Sequence, residues 1–595
     1  MSNTLASTLK NETGIAIRSL GPAPARPIIR GLGGNRISMA EDGILSFDLS
    51  STSADHSVTI NPSYADKIET IRGPKVLNYS TSAVGGVINV REEFVPLSLP
   101  QNLHLEALQF YETSNNSYNG SFHTEFPIDS MAIKSNFTYK KGSDLQTPIG
   151  KIKHSEFENN DFNFGANYIK NNFSIGSSYR GFYTKYGIPG GFLGGHPNGA
   201  TIEIQKNAFQ VKSILHEHMP LLDVIELNFQ RSYFNQKEFE SNNSIAAEFV
   251  VRDYITSIDF KQRTILFDDN NYLIGNYGIQ SNFRNTKLGG FVFSPENQLT
   301  SFSGYFFEEL SLTNFLFQFG GRATYSNFSI TEKQLYSELK NRNFFDYGIS
   351  FTTSYELINN LILGFNTSYS TRPPTAEDLY SKGPHIAAYT FEVGNTDLNS
   401  EKVFSIEPFI SFEYHNFSIF STIFFNNFSN FIIPRNTGDT NYSILLPIYK
   451  TEGVPAWLYG YEINMKYKVI TPLTADLTIS YVRGLIKNSA NNLPMIPPLK
   501  GNLRLLYKYE NWHFSLSTEF ADKQMQVDKF EEPTSGYIIF NSSMMYEFAF
   551  GRTYHQISLN AENIFNKIYR NHLSRIKSIL PESGLNFKLL YQLYL

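Results

Sequence analysis

The sequence contains no cysteine among its 595 residues. This absence excludes disulfide bonds, thiolate metal sites and cysteine nucleophiles, so any metal ion must be bound by His, Asp or Glu. No hydrophobic run approaches the roughly 18 apolar residues that a membrane-spanning helix requires, and the mean hydropathy is negative. A helical membrane protein is therefore excluded.

Strong charge and catalytic motifs are also missing. The formal net charge is -5 and is not concentrated in any segment, so the sequence indicates no nucleic-acid surface. It contains no phosphate-binding P-loop, no GxSxG nucleophile elbow and no HExxH helix. An enzyme is therefore not predicted. The first residues, MSNTLASTLKNETG, lack a basic start followed by an apolar core, so no secretory signal is visible.

What the chain does contain, after about residue 100, is alternation of apolar and polar residues with a period of two. Met131, Ile133 and Phe137 alternate with Lys134 and Asn136, and similar patterns recur through to the final stretch, residues 585–595. A period of two places successive side chains on opposite faces of a β-strand. No linker or low-complexity tract divides this region, so it is predicted to form one large β architecture.

Alternation alone would also suit a β-sandwich, but the connection lengths favour a barrel. In the C-terminal half, short turns such as His415-Asn416 and Glu510-Asn511 alternate with long connections near residues 372–400, 433–456, 484–498, 523–534 and 563–583. Short turns at one end and long loops at the other are typical of outer-membrane barrels. We predict an all-β membrane protein, with an antiparallel barrel of about 22 transmembrane strands over residues 98–595. Residues 1–97 are predicted to form an α+β plug domain in the lumen.

Three motifs in the predicted plug support this interpretation: Arg26-Pro27 to Gly31, Ile68-Glu69 with Arg72-Gly73-Pro74, and Gly85-Gly86-Val87-Ile88-Asn89. Through them, and through the barrel pattern that follows, nearly the whole chain resembles the TonB-dependent outer-membrane receptors. The resemblance implies import across the outer membrane of a Gram-negative bacterium, with outer-membrane lipid and the TonB energy-coupling complex as partners.

Family members carry a signal peptide and a coupling segment before the plug, and this chain begins at about the point where both should have passed. The sequence is therefore either part of a longer precursor or one whose coupling is impaired.

Two plug arginines, Arg30 and Arg72, are candidates for holding the plug in place, together with Glu69. A guanidinium group can reach carboxylates on a polar lumen wall and bind them with two hydrogen bonds. The alternative is that these arginines only solvate a surface.

Within the family, the chain is most similar to the zinc-uptake branch. The similarity lies in these segments: Ser53-Ala54-Asp55-His56, Glu377-Asp378-Leu379-Tyr380, Gly383-Pro384-His385, Phe391-Glu392-Val393-Gly394, Asn563 to Phe565, and Tyr569 to Ser574. It implies a metal site where plug meets barrel, with Asp55, His56, Glu392 and His572 as ligands and His385 as a further candidate. The connections 372–400 and 563–583 would both lie on the outer rim, which is compatible with that site.

Several candidates have a simpler explanation. Asp55 could cap a local turn, Glu392 could pair with a plug arginine, and His385 could be an ordinary polar loop residue. His196, in the segment KYGIPGGFLGGHPNG, is a candidate for ion capture outside the pore, or equally a loop residue.

The cargo is the least determined part of the prediction. Imidazole and carboxylate ligands suit Zn²⁺, and they also accept Ni²⁺, Cu²⁺ or Mn²⁺. We predict no permanent cofactor and a transported divalent metal, most simply zinc. The alternatives are a siderophore, haem or cobalamin as cargo, or an uncoupled structural or adhesive surface barrel.

Overall fold

The computed structural model describes residues 3–190, 199–216, 219–290, 294–332, 338–385, 388–574 and 576–595. The protein is a closed antiparallel barrel of 22 long strands whose lumen holds an N-terminal plug domain. The predicted fold class is therefore confirmed. No helix in the described ranges is long and apolar enough to cross a membrane.

The plug contains a two-stranded sheet, β1–β2, and a four-stranded sheet in the order β4-β3-β6-β5. Its strands are β1 (Ile15–Ser19), β2 (Ala25–Ile29), β3 (Ile37–Glu41), β4 (Ile44–Leu45), β5 (Lys67–Ile71) and β6 (Gly86–Arg91). One short α-helix, α1 (Leu5–Thr8), and three 3₁₀ helices, Gly34–Arg36, Leu49–Ser51 and Gly73–Asn78, connect or flank them. Apolar residues from α1, from the sheets and from the segment before β5 form the plug's own core.

The remaining strands belong to the barrel and its connections. They are β7 (His104–Glu112), β8 (Ser117–Ile128), β9 (Met131–Gly142), β10 (Gln146–Thr147), β11 (Gly150–Lys151), β12 (Phe157–Lys170), β13 (Phe173–Ile188), β14 (Ala200–His216), β15 (Leu222–Phe239), β16 (Ile245–Gln262), β17 (Ile265–Leu266), β18 (Tyr272–Gly290), β19 (Asn297–Leu312), β20 (Phe315–Ile330), β21 (Arg342–Ile358), β22 (Leu361–Arg372), β23 (Lys382–His385), β24 (Thr390–Val393), β25 (Glu401–Tyr414), β26 (Phe417–Asn441), β27 (Leu446–Ile470), β28 (Leu473–Ile486), β29 (Lys500–Tyr509), β30 (Trp512–Ala521), β31 (Tyr537–Phe550), β32 (Thr553–Glu562) and β33 (Asn586–Tyr594). Strand β33 pairs with β7 and closes the barrel. The short strands β10, β11, β17, β23 and β24 belong to connections.

The period-two pattern has the orientation expected of a barrel in lipid. In β9, Met131 and Phe137 are exposed on the outside, whereas Lys134 and Asn136 are buried in the lumen. Polar residues are buried here because the plug fills the lumen and packs against them.

One predicted connection is wrong. Residues 433–456 do not form a long loop, because β26 and β27 continue as a hairpin and each contains 25 residues. Phe431, Ile433 and Val454 from this extension are buried in an apolar cluster, and this burial stabilises the continued pairing of the two strands.

The connection between β22 and β25 folds back toward the plug. It begins with a second helix, α2 (Ala376–Tyr380), whose N-cap Thr375 and Asp378 form a reciprocal capping box. Leu379 and Tyr380 pack into an apolar cluster of the barrel wall, and the hairpin β23–β24 then pairs with β27. This packing brings His385, at the end of β23, to the plug.

Candidate metal centre

Four side chains converge where the plug meets the barrel: Asp55, His56, Glu238 and His385. Each offers one potential ligand atom, and these atoms lie within 4.8 Å of one another. Their side chains are at most 4% exposed. The plug supplies Asp55 and His56, β15 supplies Glu238 and β23 supplies His385, so three separate parts of the chain contribute.

The plug loop that carries Asp55 and His56 is closed by Asp48. One carboxylate oxygen of Asp48 caps the 3₁₀ helix Leu49–Ser51 by accepting from the Ser50 amide at 2.9 Å, and the other accepts from the Thr59 amide at 3.1 Å. Arg26 lies 3.6 Å from the same carboxylate and balances its charge. The loop is therefore structured by the plug itself before any ion arrives.

The hydrogen bonds of His56 fix its tautomer. Its Nδ1 donates to the Leu49 carbonyl at 2.9 Å, which leaves Nε2 as the atom that faces the other ligands. That Nε2 lies 3.1 Å from Asp55 Oδ2 and 3.3 Å from Glu238 Oε1. Ser53 donates to Asp55 Oδ1, whereas Oδ2 faces the imidazoles of His56 and His385. Because Nε2 of His56 faces two carboxylates, a proton or a metal cation must lie between the nitrogen and the carboxylate oxygens.

His385 is held in the same way from the barrel side. Its Nδ1 lies 3.3 Å from Glu392 Oε1 and donates to it, while Nε2 points to Asp55 Oδ2 at 3.6 Å. Glu392, which the resemblance implies as a ligand, is not in the four-residue cluster. Its carboxylate contacts His385 Nδ1 and orients the ring, as carboxylates commonly do behind metal-binding histidines.

The spacing and charge of the cluster suit a tetrahedral divalent ion. Ligands at roughly 2.0 to 2.1 Å from Zn²⁺ are about 3.3 Å apart along a tetrahedral edge. Three of the six spacings here are 3.1, 3.3 and 3.6 Å, and all six are within 4.8 Å. Two carboxylates balance the two positive charges of such an ion when both imidazoles are neutral. This neutrality matters because an unbalanced charge in a buried site is costly.

The pKa values of the two histidines and of Asp55 depend on the same balance of charge. Burial alone would lower the pKa of His56, but the Asp55 and Glu238 carboxylates together outweigh it and raise that pKa to about 10. The pKa of His385 is also raised, since Asp55 and Glu392 outweigh its burial, and the pKa of Asp55 is lowered by both histidines despite burial. Without a metal ion, imidazolium protons thus supply the positive charge that the carboxylates require.

His572 lies outside this cluster, contrary to the ligand set implied by the resemblance. Its Nδ1 is 2.9 Å from the Thr534 hydroxyl and its Nε2 is 3.2 Å from Glu531 Oε1. The ammonium group of Lys577 lies 3.3 Å from the same Glu531 oxygen. A fixed positive charge at that point disfavours a second cation. His196, the candidate for outer capture, lies outside the described residues.

Glu238 is the ligand candidate that the sequence did not reveal. It lies near the outer end of β15 with its side chain in the lumen, in the stretch Phe234-Asn235-Gln236-Lys237-Glu238. A carboxylate on the lumen face at the outer end of a strand was the available signal, but many strands carry polar residues on that face. Glu238 is distinguished from those residues by the plug, which places His56 beside it.

Arg30 and Arg72 both contact the barrel wall. Arg30 binds Glu462 with two hydrogen bonds of 2.9 Å and Glu407 at 2.6 Å, and Arg72 binds Glu462 at 2.8 Å. Glu69 differs from the prediction, because its carboxylate pairs with Lys67 and Asn89 within the plug rather than with the barrel. It lies on β5, the edge strand of the plug sheet, where neighbouring plug residues are within reach.

We expect the Glu462→Gln variant to loosen the plug. The substitution removes the buried charge of Glu462 that two partly buried arginines share, and breaking a buried ion pair costs roughly 3 kcal/mol. Amide hydrogen exchange in the hairpin β1–β2, which precedes Arg30, should become about 100-fold faster. The matched control is Glu413→Gln on β25, two strands away from Glu462, where the side chain is exposed, and it should leave the exchange unchanged. Equal exchange in both variants would show that these ion pairs do not hold the plug.

Comparison with known proteins agrees with this architecture. Residues 99–566 match the family described as TonB dependent receptor-like, beta-barrel, and residues 1–87 match the TonB-dependent Receptor Plug Domain. Among solved structures, the copper transporter OprC is 15% identical with a TM-score of 0.86, and the alignment covers 100% of this chain and 96% of that one. The FrpB iron transporter from Neisseria meningitidis (F3-3 variant) is 12% identical with a TM-score of 0.79, covering 100% and 97%.

The siderophore receptor PirA from Pseudomonas aeruginosa is 15% identical with a TM-score of 0.74, covering 100% of this chain and 96% of that one. At these identities the structural likeness shows the fold, whereas the two family matches extend over most of the sequence. Transport across the outer membrane of Gram-negative bacteria is the activity of this family, and it is not an enzyme family. The chain belongs to the TonB-dependent receptors.

Proposed function

We propose that this receptor imports a divalent metal ion, with zinc as the cargo, and that Asp55, His56, Glu238 and His385 bind it. The observation that carries the proposal is the buried convergence of these four side chains at the junction of plug and barrel. Two imidazole nitrogens and two carboxylate oxygens form a ligand set that Zn²⁺ commonly uses.

The ligand chemistry also favours a divalent ion over Cu(I). The cluster contains neither cysteine nor methionine, and the soft sulfur ligands that favour Cu(I) are therefore missing from it. Ni²⁺, Co²⁺ and Cu²⁺ accept the same donor atoms, so they should compete with Zn²⁺ for the site.

The burial of the cluster favours a bare ion over a metal carried by a chelator. Four protein donors complete a tetrahedral shell and leave no coordination position for a siderophore or another carrier. A cavity of about 510 Å³ lies beside the cluster, lined by Thr390, Glu392 and residues of several long outer connections. The cavity reaches Glu392, whose carboxylate contacts His385, so we propose it as the space through which the ion approaches the cluster.

The distribution of the ligands gives a release mechanism. Asp55 and His56 move with the plug, whereas Glu238 and His385 stay with the barrel. When the TonB complex displaces the plug, the four-ligand shell separates into two pairs, and each pair holds the ion more weakly than the complete set. Arg30 and Arg72 keep the plug seated until that force acts.

Calorimetric titration of the purified protein with Zn²⁺ tests the binding, and uptake of radioactive zinc by cells tests the transport. We expect one ion per chain, no competition by ferric siderophores, haem or cobalamin, and loss of uptake when the energy-coupling complex is deleted. Competition by one of those ligands would indicate a carrier-bound cargo. Zinc uptake that persists without the coupling complex would contradict the proposal and favour an uncoupled surface barrel.

Zinc should also order the connection that carries His385. Because His385 is the only one of the four ligands on the hairpin β23–β24, the ion ties this hairpin to the plug. We expect amide exchange in residues 382–385 and 390–393 to slow at least tenfold when Zn²⁺ is added. The turn at residues 415–416, at the opposite end of the barrel, is the internal control and should exchange at the same rate with and without zinc.

A further inference from the structure

We infer that Tyr186 is a positioning residue for the metal centre, because it holds the backbone on both sides of His56 and thereby sets the affinity of the site. The inference rests on the proposed binding of a metal ion by the four-residue cluster.

Tyr186 reaches the metal-binding loop from the barrel wall. It lies on β13 with 1% of its surface exposed. Its hydroxyl donates to the carbonyl oxygen of Asp55 at 2.8 Å and accepts from the amide of Ser57 at 3.0 Å. The two backbone groups belong to the residues directly before and after His56, so one phenol satisfies both and restrains the peptide between them.

This restraint matters because Asp55 and His56 are consecutive residues. In an extended chain their side chains would point in opposite directions, yet here Asp55 Oδ2 and His56 Nε2 are 3.1 Å apart. The backbone must bend for the two side chains to converge, and residues 54–56 form a bend. The two hydrogen bonds of the Tyr186 hydroxyl link the backbone groups on either side of His56 and so stabilise that bend.

The position of the hydroxyl is itself well defined. The Tyr186 ring is part of an apolar cluster that includes Leu49, Ile202 and Phe249, and close packing on several sides limits its rotation. Glu238 belongs to the same barrel wall, two strands away from Tyr186. The wall therefore supplies both a ligand and the group that orients the plug ligands, and both contacts require a seated plug.

The Tyr186→Phe variant tests this role, since it removes the hydroxyl and keeps the packed ring. With the full chain in detergent, we expect its affinity for Zn²⁺ to fall by about 10- to 100-fold, as is typical when a group that orients metal ligands is removed. In the Co²⁺-saturated protein, the visible absorption of the four-coordinate ion should weaken and shift. The thermal midpoint of the metal-free protein should stay close to that of the native chain.

Tyr179→Phe is the matched control, because Tyr179 lies on the same strand with its side chain 45% exposed on the outer face. It should leave affinity and spectrum unchanged. If native protein binds both metals and Tyr186→Phe has native affinity, the inference is wrong. A weaker affinity with an unaltered Co²⁺ spectrum would indicate a merely structural role and would also overturn it. Failure of the native protein to bind either metal would instead overturn the proposed function.

Discussion

The His56→Ala variant should bind Zn²⁺ on the order of 100-fold more weakly than the native protein. His56 is the ligand with the shortest contacts to two others, at 3.1 Å from Asp55 and 3.3 Å from Glu238. Its removal takes away one donor and leaves two buried carboxylates without the group that lies between them. Loss of a direct ligand should cost at least as much as the 10- to 100-fold typical of the groups behind it. Calorimetric titration measures the change.

His572→Ala is the matched control for this experiment. His572 belongs to the same predicted ligand set, but the structure places it beside Glu531 and Thr534. We therefore expect His572→Ala to bind Zn²⁺ with native affinity. The opposite result, with His572 essential and His56 dispensable, would mean that the ion binds in the outer connection at residues 563–585 and not at the plug loop.

The Glu238→Gln variant should show the second large effect, a loss of affinity of roughly 10- to 100-fold. Glutamine keeps the shape of the side chain but removes one of the two charges that balance a divalent ion, and the uncompensated charge would be buried. The variant should also lose zinc uptake in cells at low external concentrations, because the barrel half of the site is then reduced to His385.

Glu203→Gln controls for a general effect of losing an acidic residue on this wall. Glu203 lies on the adjacent strand β14 and pairs with Lys185 at 2.7 Å outside the lumen. Its substitution should change neither binding nor uptake. Native affinity in Glu238→Gln would show that the plug loop and His385 hold the ion without the barrel wall.

The barrel was predictable because its pattern is repeated and local. Each strand carries its own alternation, as in Met131 to Lys140, and each short turn is visible as a break in that alternation. The extension of the hairpin β26–β27 over residues 433–456 was missed. Its apolar residues pack against the plug, neighbouring strands and the connection after β28, and such long-range contacts cannot be read from a local pattern.

Three of the four clustered residues were candidates from the sequence, whereas Glu238 on the barrel wall was not. Asp55 and His56 are adjacent and form a recognisable motif, and His385 is within a second one. Glu238 is separated from His56 by 182 positions, and its selection depends on which strands face the plug loop. His572 shows the limit of a motif, since it lies within a recognisable segment but its imidazole contacts Glu531 and not the plug loop.

Anomalous diffraction at the zinc absorption edge, from crystals grown with Zn²⁺, tests the metal centre most directly. We expect one strong peak between Asp55, His56, Glu238 and His385, at roughly 2.0 to 2.2 Å from one atom of each side chain. A peak at His572 and Glu531 with none at the plug loop, or no ordered zinc in a protein saturated with the metal, would contradict the assignment of this cluster as the cargo site.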